Sequence, residues 1–211
     1  MDFSETEDQI MIRDMVRDFA ETVASPTCHQ RDKEQKPPID EFKQFAELGV
    51  AGMTIPEAYG GQKLDDISEA IVIEELSRVD PSLGVMVAVH VGLCSMTITL
   101  NGNEEQKNKY LPKLASGEYL GAYSLSEAGS GTDAAAMVAR ASEDGDFYTL
   151  NGEKMWVTNG TTADLFVLFA KVTDHPDYGE KKHGGVTCFI IEKGFEGFKI
   201  GKKEDKLGIR S

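Results

Sequence analysis

Apolar residues in the first half of the chain recur every three to four positions. Phe3, Ile10, Met15, Phe19 and Val23 follow that spacing, with Arg13, Asp14, Arg17 and Asp18 between them, which predicts an amphipathic helix. Ser4-x-x-Glu7 has the form of a capping box that opens it, and Pro26 ends or bends it. Beyond Pro37-Pro38, residues 40–48 read as a short helix closed by Gly49, and Pro56 to Gly61 as a turn-rich loop. Asp65 or Asp66 caps a helix carrying Ile67, Ala70, Ile71, Ile73 and Leu76. Asp80-Pro81 opens an apolar segment that Asn101-Gly102 ends, and residues 104–116 form a further helix closed by Gly117. About five helices therefore fill the first half.

From Tyr119 the period shortens to two. Residues 119–126, 137–142, 147–150, 153–158, 163–172 and 185–192 read as strands, and Asn151-Gly152 is a tight-hairpin signal. Residues 175–184 are charged, contain Pro and Gly, and read as an exposed loop. Helices followed by strands give an α+β chain: an all-helical domain at 1–117 and an antiparallel β-domain at 118–211. If 153–158 is a strand, Lys154, Trp156 and Thr158 share one face, and Met155 and Val157 share an apolar face turned to the core. Residues 199–210 are strongly charged, and the chain stops in the middle of an element.

Composition narrows the function classes. Among 211 residues, 36 acidic against 22 basic side chains give a net charge of −14, which excludes a nucleic-acid footprint and favours a soluble cytoplasmic protein. Cys28, Cys94 and Cys188 are far apart, without metal-ligand or disulfide spacing. The N-terminus has neither the basic nor the apolar region of a signal peptide. Residues 83–100 carry no formal charge and approach the length of a membrane span, but Gly84, His90, Gly92, Ser95, Thr97 and Thr99 point to a buried helix instead. His90 and Cys94, four apart on that helix, read as a buried pair and not as metal ligands, since no third ligand accompanies them.

Candidate chemistry concentrates in two stretches. In Tyr123-Ser124-Leu125-Ser126-Glu127-Ala128-Gly129-Ser130-Gly131-Thr132-Asp133, a strand runs into a loop whose glycines allow positive φ. Its backbone N–H groups and hydroxyls suit an anion; the plainer reading is an ordinary surface turn. In the second stretch, Trp156 offers a plane for a flat ring and Thr158 a hydroxyl for its polar edge. An isoalloxazine has both features. Ser126 and neighbouring N–H groups would serve the same polar edge, and Thr132 with the glycine N–H groups a phosphate.

Those stretches, with Leu150-Asn151-Gly152-Glu153-Lys154-Met155-Trp156-Val157-Thr158-Asn159-Gly160, resemble the paired signature of the acyl-CoA dehydrogenase flavoproteins. Ile55-Pro56-Glu57-x-Tyr59-Gly60-Gly61, Asn101-Gly102-x-x-x-Gln106-Lys107 and Lys206-Leu207-Gly208-Ile209-Arg210 extend the resemblance along the whole chain, with the short-chain and branched-chain members most similar. Thr132 and Ala128 depart mildly from the family's serine and proline. The resemblance implies α,β-dehydrogenation of an acyl-CoA thioester, with FAD as cofactor and an electron-transfer flavoprotein as acceptor. It also implies a homotetramer in full-length form, and no membrane or nucleic-acid partner. Tyr123, Ser124, Leu125, Ser126, Gly131, Thr132, Trp156, Val157 and Thr158 are the implied cofactor residues, and Thr132 and Ser126 also meet substrate. The family's glutamate base belongs to a C-terminal four-helix domain beyond Ser211, so Glu127, Glu153 and Glu192 are read as turn or surface carboxylates. An acyl-CoA oxidase or related flavin monooxygenase on the same fold, and a non-catalytic acyl-CoA or partner-binding module, are the alternatives.

Overall fold

Thr6, not Ser4, opens the first helix. The computed structural model describes residues 4–211, so Phe3 lies outside the described residues. The Thr6 hydroxyl accepts from the Gln9 N–H at 3.2 Å, and the Gln9 side chain accepts from the Thr6 N–H at 3.0 Å. This box leaves Glu7 and Asp8 in the first turn of α1 (Glu7–Phe19), where carboxylates complement the helix dipole. Gln9, Val16 and Phe19 are the buried positions of α1, whereas Ile10 and Met15 are exposed. Pro26 does not end the rod. A π-helical turn, Ala20–Ala24, carries it into α2 (Ser25–Glu34), where the proline sits in the first turn and needs no donor.

The remaining rods follow their sequence signals. They are α3 (Ile39–Glu47), stopped by Gly49 at φ 82°, and α4 (Asp66–Val79), capped by Asp65. Next come α5 (Pro81–Ala88), the π-helical Val89–Ser95 and α6 (Met96–Asn101), which form one continuous helix. Finally, α7 (Glu104–Ala115) has an Asn103–Gln106 capping box. Pro81–Asn101 is long and apolar enough to cross a membrane by length and composition; 56% of its most apolar window is buried within the fold.

Five strands follow among the described residues: β1 (Gly121–Ser124), β2 (Arg140–Asp144), β3 (Phe147–Asn151), β4 (Leu165–Val172) and β5 (Val186–Glu192). β4 is the axis of the sheet. Antiparallel β5 covers one edge along its length, while β1 and then β2 share the other in parallel. The sheet is therefore mixed, where alternation alone suggested antiparallel. Residues 153–158 are not a strand, because Trp156 takes left-handed φ at 59° and breaks the extended run. The hairpin turns at Gly145-Asp146, between paired Asp144 and Phe147, with Gly145 at φ 63°. Asn151-Gly152 instead ends β3. Gly152 has φ 152°, and a Cβ there would lie 2.7 Å from the Ala139 Cα.

The near-continuous apolar run of β4 follows from burial on both faces. Leu165 and Val167 pack with Ile55, Cys94, Ile98, Leu111 and Leu114 of the helical half. Phe166, on the opposite face, packs with Ala122, Ala163 and Ile191.

Gly121 is where the halves are pinned. Its N–H donates to His90 Nδ1 at 3.0 Å, and its carbonyl accepts from Asn159 Nδ2 at 2.9 Å. The other His90 nitrogen, Nε2, meets the Leu114 carbonyl at 3.1 Å. Asn159 also donates to the Met86 carbonyl at 3.0 Å. A Cβ on residue 121 would meet Cys94 Sγ at 2.6 Å, so only glycine fits. Both ring nitrogens of His90 are thus occupied by backbone.

Burial pushes the His90 pKa down from 6.5 to about 4. The unfolded chain binds a proton at this residue below about pH 6.5, and the folded chain does not until about pH 4. Stability therefore falls as pH drops through that window, by roughly 3 kcal/mol in all. Urea denaturation at a series of pH values should show this loss in the wild-type chain and lack that component in His90→Gln. Equal pH dependence in the two chains would refute the assignment.

Candidate functional site

Two loops are stitched together just past the end of β1. The Met155 N–H donates to the Ser126 carbonyl at 2.9 Å. Lys154 Nζ donates to the Leu125 carbonyl at 3.0 Å and pairs with Glu127 at 2.6 Å. The same Glu127 carboxylate accepts from the N–H groups of Val138 (2.6 Å) and Ala139 (3.1 Å). The Lys154 and Glu127 side chains are only 6% and 4% exposed. Burial by itself raises the Glu127 pKa, but Lys154 and the two N–H groups outweigh it and the net shift is downward. Glu127 is accordingly a buried strut in a turn and not a surface carboxylate. Glu192 also has a bracing role, accepting from Lys109 at 2.7 Å and Tyr110 at 2.8 Å. Glu153 is exposed.

The turn after Glu127 closes on itself. Glu127 and Ser130 exchange backbone hydrogen bonds of 2.9 and 3.1 Å, and the Ser130 hydroxyl donates to the Asp133 carbonyl at 2.9 Å. Neither Gly129 nor Gly131 uses positive φ. Their place in the loop is open instead: a Cβ at either would have no neighbour within 4 Å. What glycine provides here is room for something to approach the backbone.

The expected site residues separate into two groups. Leu125, Ser126 and Trp156 come together at the stitched loops, with Thr158 two residues on, beside the Asn159 anchor. Trp156 is 63% exposed, its ring turned out by the left-handed backbone. Gly131 and Thr132 are exposed on the adjoining turn. Among the described residues, the hydroxyls of Ser126, Thr132 and Thr158 and the Trp156 indole N–H make no hydrogen bond. Tyr123, Ser124 and Val157 instead belong to the interior. Tyr123 packs against Phe169 at 5.2 Å between ring centroids, on the face toward the helices. Val157 packs with Ala122 and Phe166 on the opposite face, and Ser124 is 3% exposed.

Beyond the turn lies a shallow depression of about 510 Å³, lined by Arg140, Lys171, Tyr178, Glu180, Lys181 and Lys182 among others. Lys182 pairs with Asp133 at 2.8 Å. Arg140 and Lys171 are register partners across β2 and β4, and among the described residues neither forms an ion pair. Like charges placed opposite one another are unfavourable unless an anion neutralises them. This cluster escaped sequence reasoning: Lys181-Lys182 was visible only as part of a charged loop, and the Arg140–Lys171 juxtaposition exists only once β2 lies beside β4. The described residues contain no group of three or more His, Cys, Asp or Glu able to hold a metal.

Residues 6–118 match the acyl-CoA dehydrogenase N-terminal domain, and residues 122–211 match the acyl-CoA dehydrogenase middle domain. The chain belongs to the acyl-CoA dehydrogenase family. The short-chain-specific acyl-CoA dehydrogenase of Clostridium acetobutylicum is 44% identical over 100% of this chain and 54% of its own length. The solved butyryl-CoA dehydrogenase of Megasphaera elsdenii is 37% identical with a TM-score of 0.91, covering 100% of this chain and 55% of its own. A Bacillus anthracis acyl-CoA dehydrogenase solved with FAD is 36% identical with a TM-score of 0.89, covering 98% of this chain and 34% of its own. This family member thus spans about half the length of the curated relatives it matches.

The two kinds of glycine in and around the site should respond differently to a methyl group. Gly131→Ala meets empty space at ordinary φ and should leave stability within about 0.5 kcal/mol of wild type. Gly152→Ala drives a Cβ into Ala139 and should cost roughly 1–3 kcal/mol. Thermal denaturation of the two variants checks the contrast, and an equal effect would show that the loop around Gly131 is not open.

Proposed function

We propose that this chain forms the FAD-holding part of an acyl-CoA dehydrogenase acting on short or branched acyl-CoA thioesters. One observation carries the reading: three hydroxyls and an indole N–H without internal partners stand on two stitched loops, beside an outward-turned aromatic plane. That donor set matches a flat ring with a polar edge and a diphosphate tail. Leu125 and Ser126 would hold the pyrimidine edge, Thr158 the neighbouring polar edge, and Trp156 one flank of the ring. Gly131 leaves the backbone open to approach, and Thr132 would meet the pyrophosphate or the CoA part of the substrate. Arg140 and Lys171, which form no ion pair among the described residues, would supply positive charge for the CoA phosphates.

When bound, FAD supplies the acceptor for the hydride that leaves the β-carbon of the thioester. Removing the weakly acidic α-proton needs a desolvated carboxylate and donors to the thioester oxygen. Glu127 and Glu192 are committed to structural bonds and Glu153 is exposed, so none of them is assigned this work. The base belongs, in this reading, to polypeptide beyond Ser211. An electron-transfer flavoprotein as acceptor and a tetrameric assembly complete the proposal on family grounds, and the net charge of −14 supports a cytoplasmic setting.

Trp156 is the single tryptophan, so ring stacking has a direct optical readout. Titrating the chain with FAD should quench its fluorescence, and Gly131→Val, which fills the open approach, should weaken binding by roughly tenfold. Absence of quenching would overturn the cofactor assignment. Anaerobic butyryl-CoA added to the FAD-loaded chain should leave the visible flavin band unbleached. Bleaching would place the base within the described residues and refute that part of the proposal.

A further inference from the structure

We infer that the buried Glu127–Lys154 pair is the positioning unit of the cofactor site, fixing the separation between the Ser126 segment and the Trp156 segment. The inference rests on the FAD-binding reading above. Its basis is a cluster of bonds that all converge on one ammonium and one carboxylate. Lys154 Nζ reaches the Leu125 carbonyl at 3.0 Å and Glu127 Oε1 at 2.6 Å. Glu127 is in turn fixed by the N–H groups of Val138, at Oε2, and Ala139, at Oε1. Among the described residues, the only direct backbone bond between the two loops is Met155 N–H to the Ser126 carbonyl.

A single backbone bond between two loops permits rotation about it. The ammonium adds a second tie one residue away on each chain, at Leu125 and Lys154, and so removes that freedom. Ser126 lies between Leu125 and Glu127, both of which the ammonium holds, and Trp156 lies two residues beyond Lys154. Burial of this pair to 6% and 4% exposure is poorly explained by stability, since two charges taken out of water recover little net free energy and an apolar pair would pack as well. What ions supply there is geometric definition. Among the described residues, half-buried Ser126 and exposed Trp156 have no side-chain hydrogen bond of their own to orient them. The tilt and spacing of their groups depend on the backbone, and the backbone depends on this pair.

The test uses the whole chain with three variants: Lys154→Met, the charge-free double variant Glu127→Gln/Lys154→Met, and Lys154→Arg. Circular dichroism and thermal denaturation report folding. FAD affinity is read from Trp156 fluorescence, and the reduction potential of bound flavin from a dye-linked titration. The double variant, which leaves no lone buried charge, should fold and bind FAD roughly tenfold or more weakly, with a shifted potential. Lys154→Arg should return affinity to within about threefold of wild type, because it restores the cation and a donor for the Leu125 carbonyl. A folded double variant with wild-type affinity and potential would overturn the positioning role. So would loss of fold in both methionine variants with Lys154→Arg indistinguishable from wild type, since the pair would then serve stability alone. Failure of the wild-type chain to bind FAD overturns the functional reading itself, and that outcome is separate from any difference between variants.

Discussion

A backbone amide and carbonyl that leave water must each find a partner. At Gly121 neither finds one in its own strand at the point where the chain passes from helices to sheet. His90 and Asn159 satisfy them from opposite directions, one from inside a π-helical turn and the other from the loop that carries Trp156. Because Asn159 also grips Met86, and His90 also grips Leu114, the long helix, α7, β1 and the tryptophan loop meet at one residue. Loosening any of these bonds leaves an unsatisfied group in a buried site, which gives the junction its rigidity. The placement of Trp156 and Thr158 relative to β1 descends from it.

The two halves each contain a buried ionic cluster of a different kind. In the helical half, Arg31 joins Glu41 at 2.9 Å and Asp80 at 2.7 Å, tying α2, α3 and the start of α5. Asp80 serves double duty there, because it also caps α5 through the N–H groups of Ser82 and Leu83. In the β half, Glu127 and Lys154 tie two irregular loops that have no ladder of their own. Helices are held chiefly by their apolar faces, so the first cluster refines an arrangement that packing already defines. The loops have few such contacts, and their geometry rests on the ionic bonds far more heavily.

Much of the helical half was legible because its signals are local. Pro37-Pro38, Gly49, Asp65, Pro81 and Gly117 each act within a turn of where they stand, and the rods they delimit appear where the spacing put them. Failures in the β half share a physical origin. The sequence contains both Asp144-Gly145 and Asn151-Gly152, and either can turn a hairpin; which one does is decided by the pairing of β2 with β3. The Lys154–Thr158 alternation looked extended, but Asn159 pulls the loop onto Gly121 and Met86, and Trp156 pays with left-handed φ. The stitched loops themselves were anticipated from side-chain chemistry, whereas the pair that stitches them was not. Lys154 and Glu127 lie 27 residues apart, and nothing local marks either as buried.

The parallel pairing of β1 with β4 has a bearing on how the chain is made. Gly121 to Ser124 cannot find its neighbour until Leu165 to Leu168 has left the ribosome, well after the helices are complete. Through that interval Cys94 and Ile98 of the Pro81–Asn101 helix have their partners in the helical half, such as Leu111 and Leu114, but not Leu165 and Val167 of the sheet. A long, uncharged, sticky helix waiting on a distant strand is the kind of nascent surface that chaperones recognise.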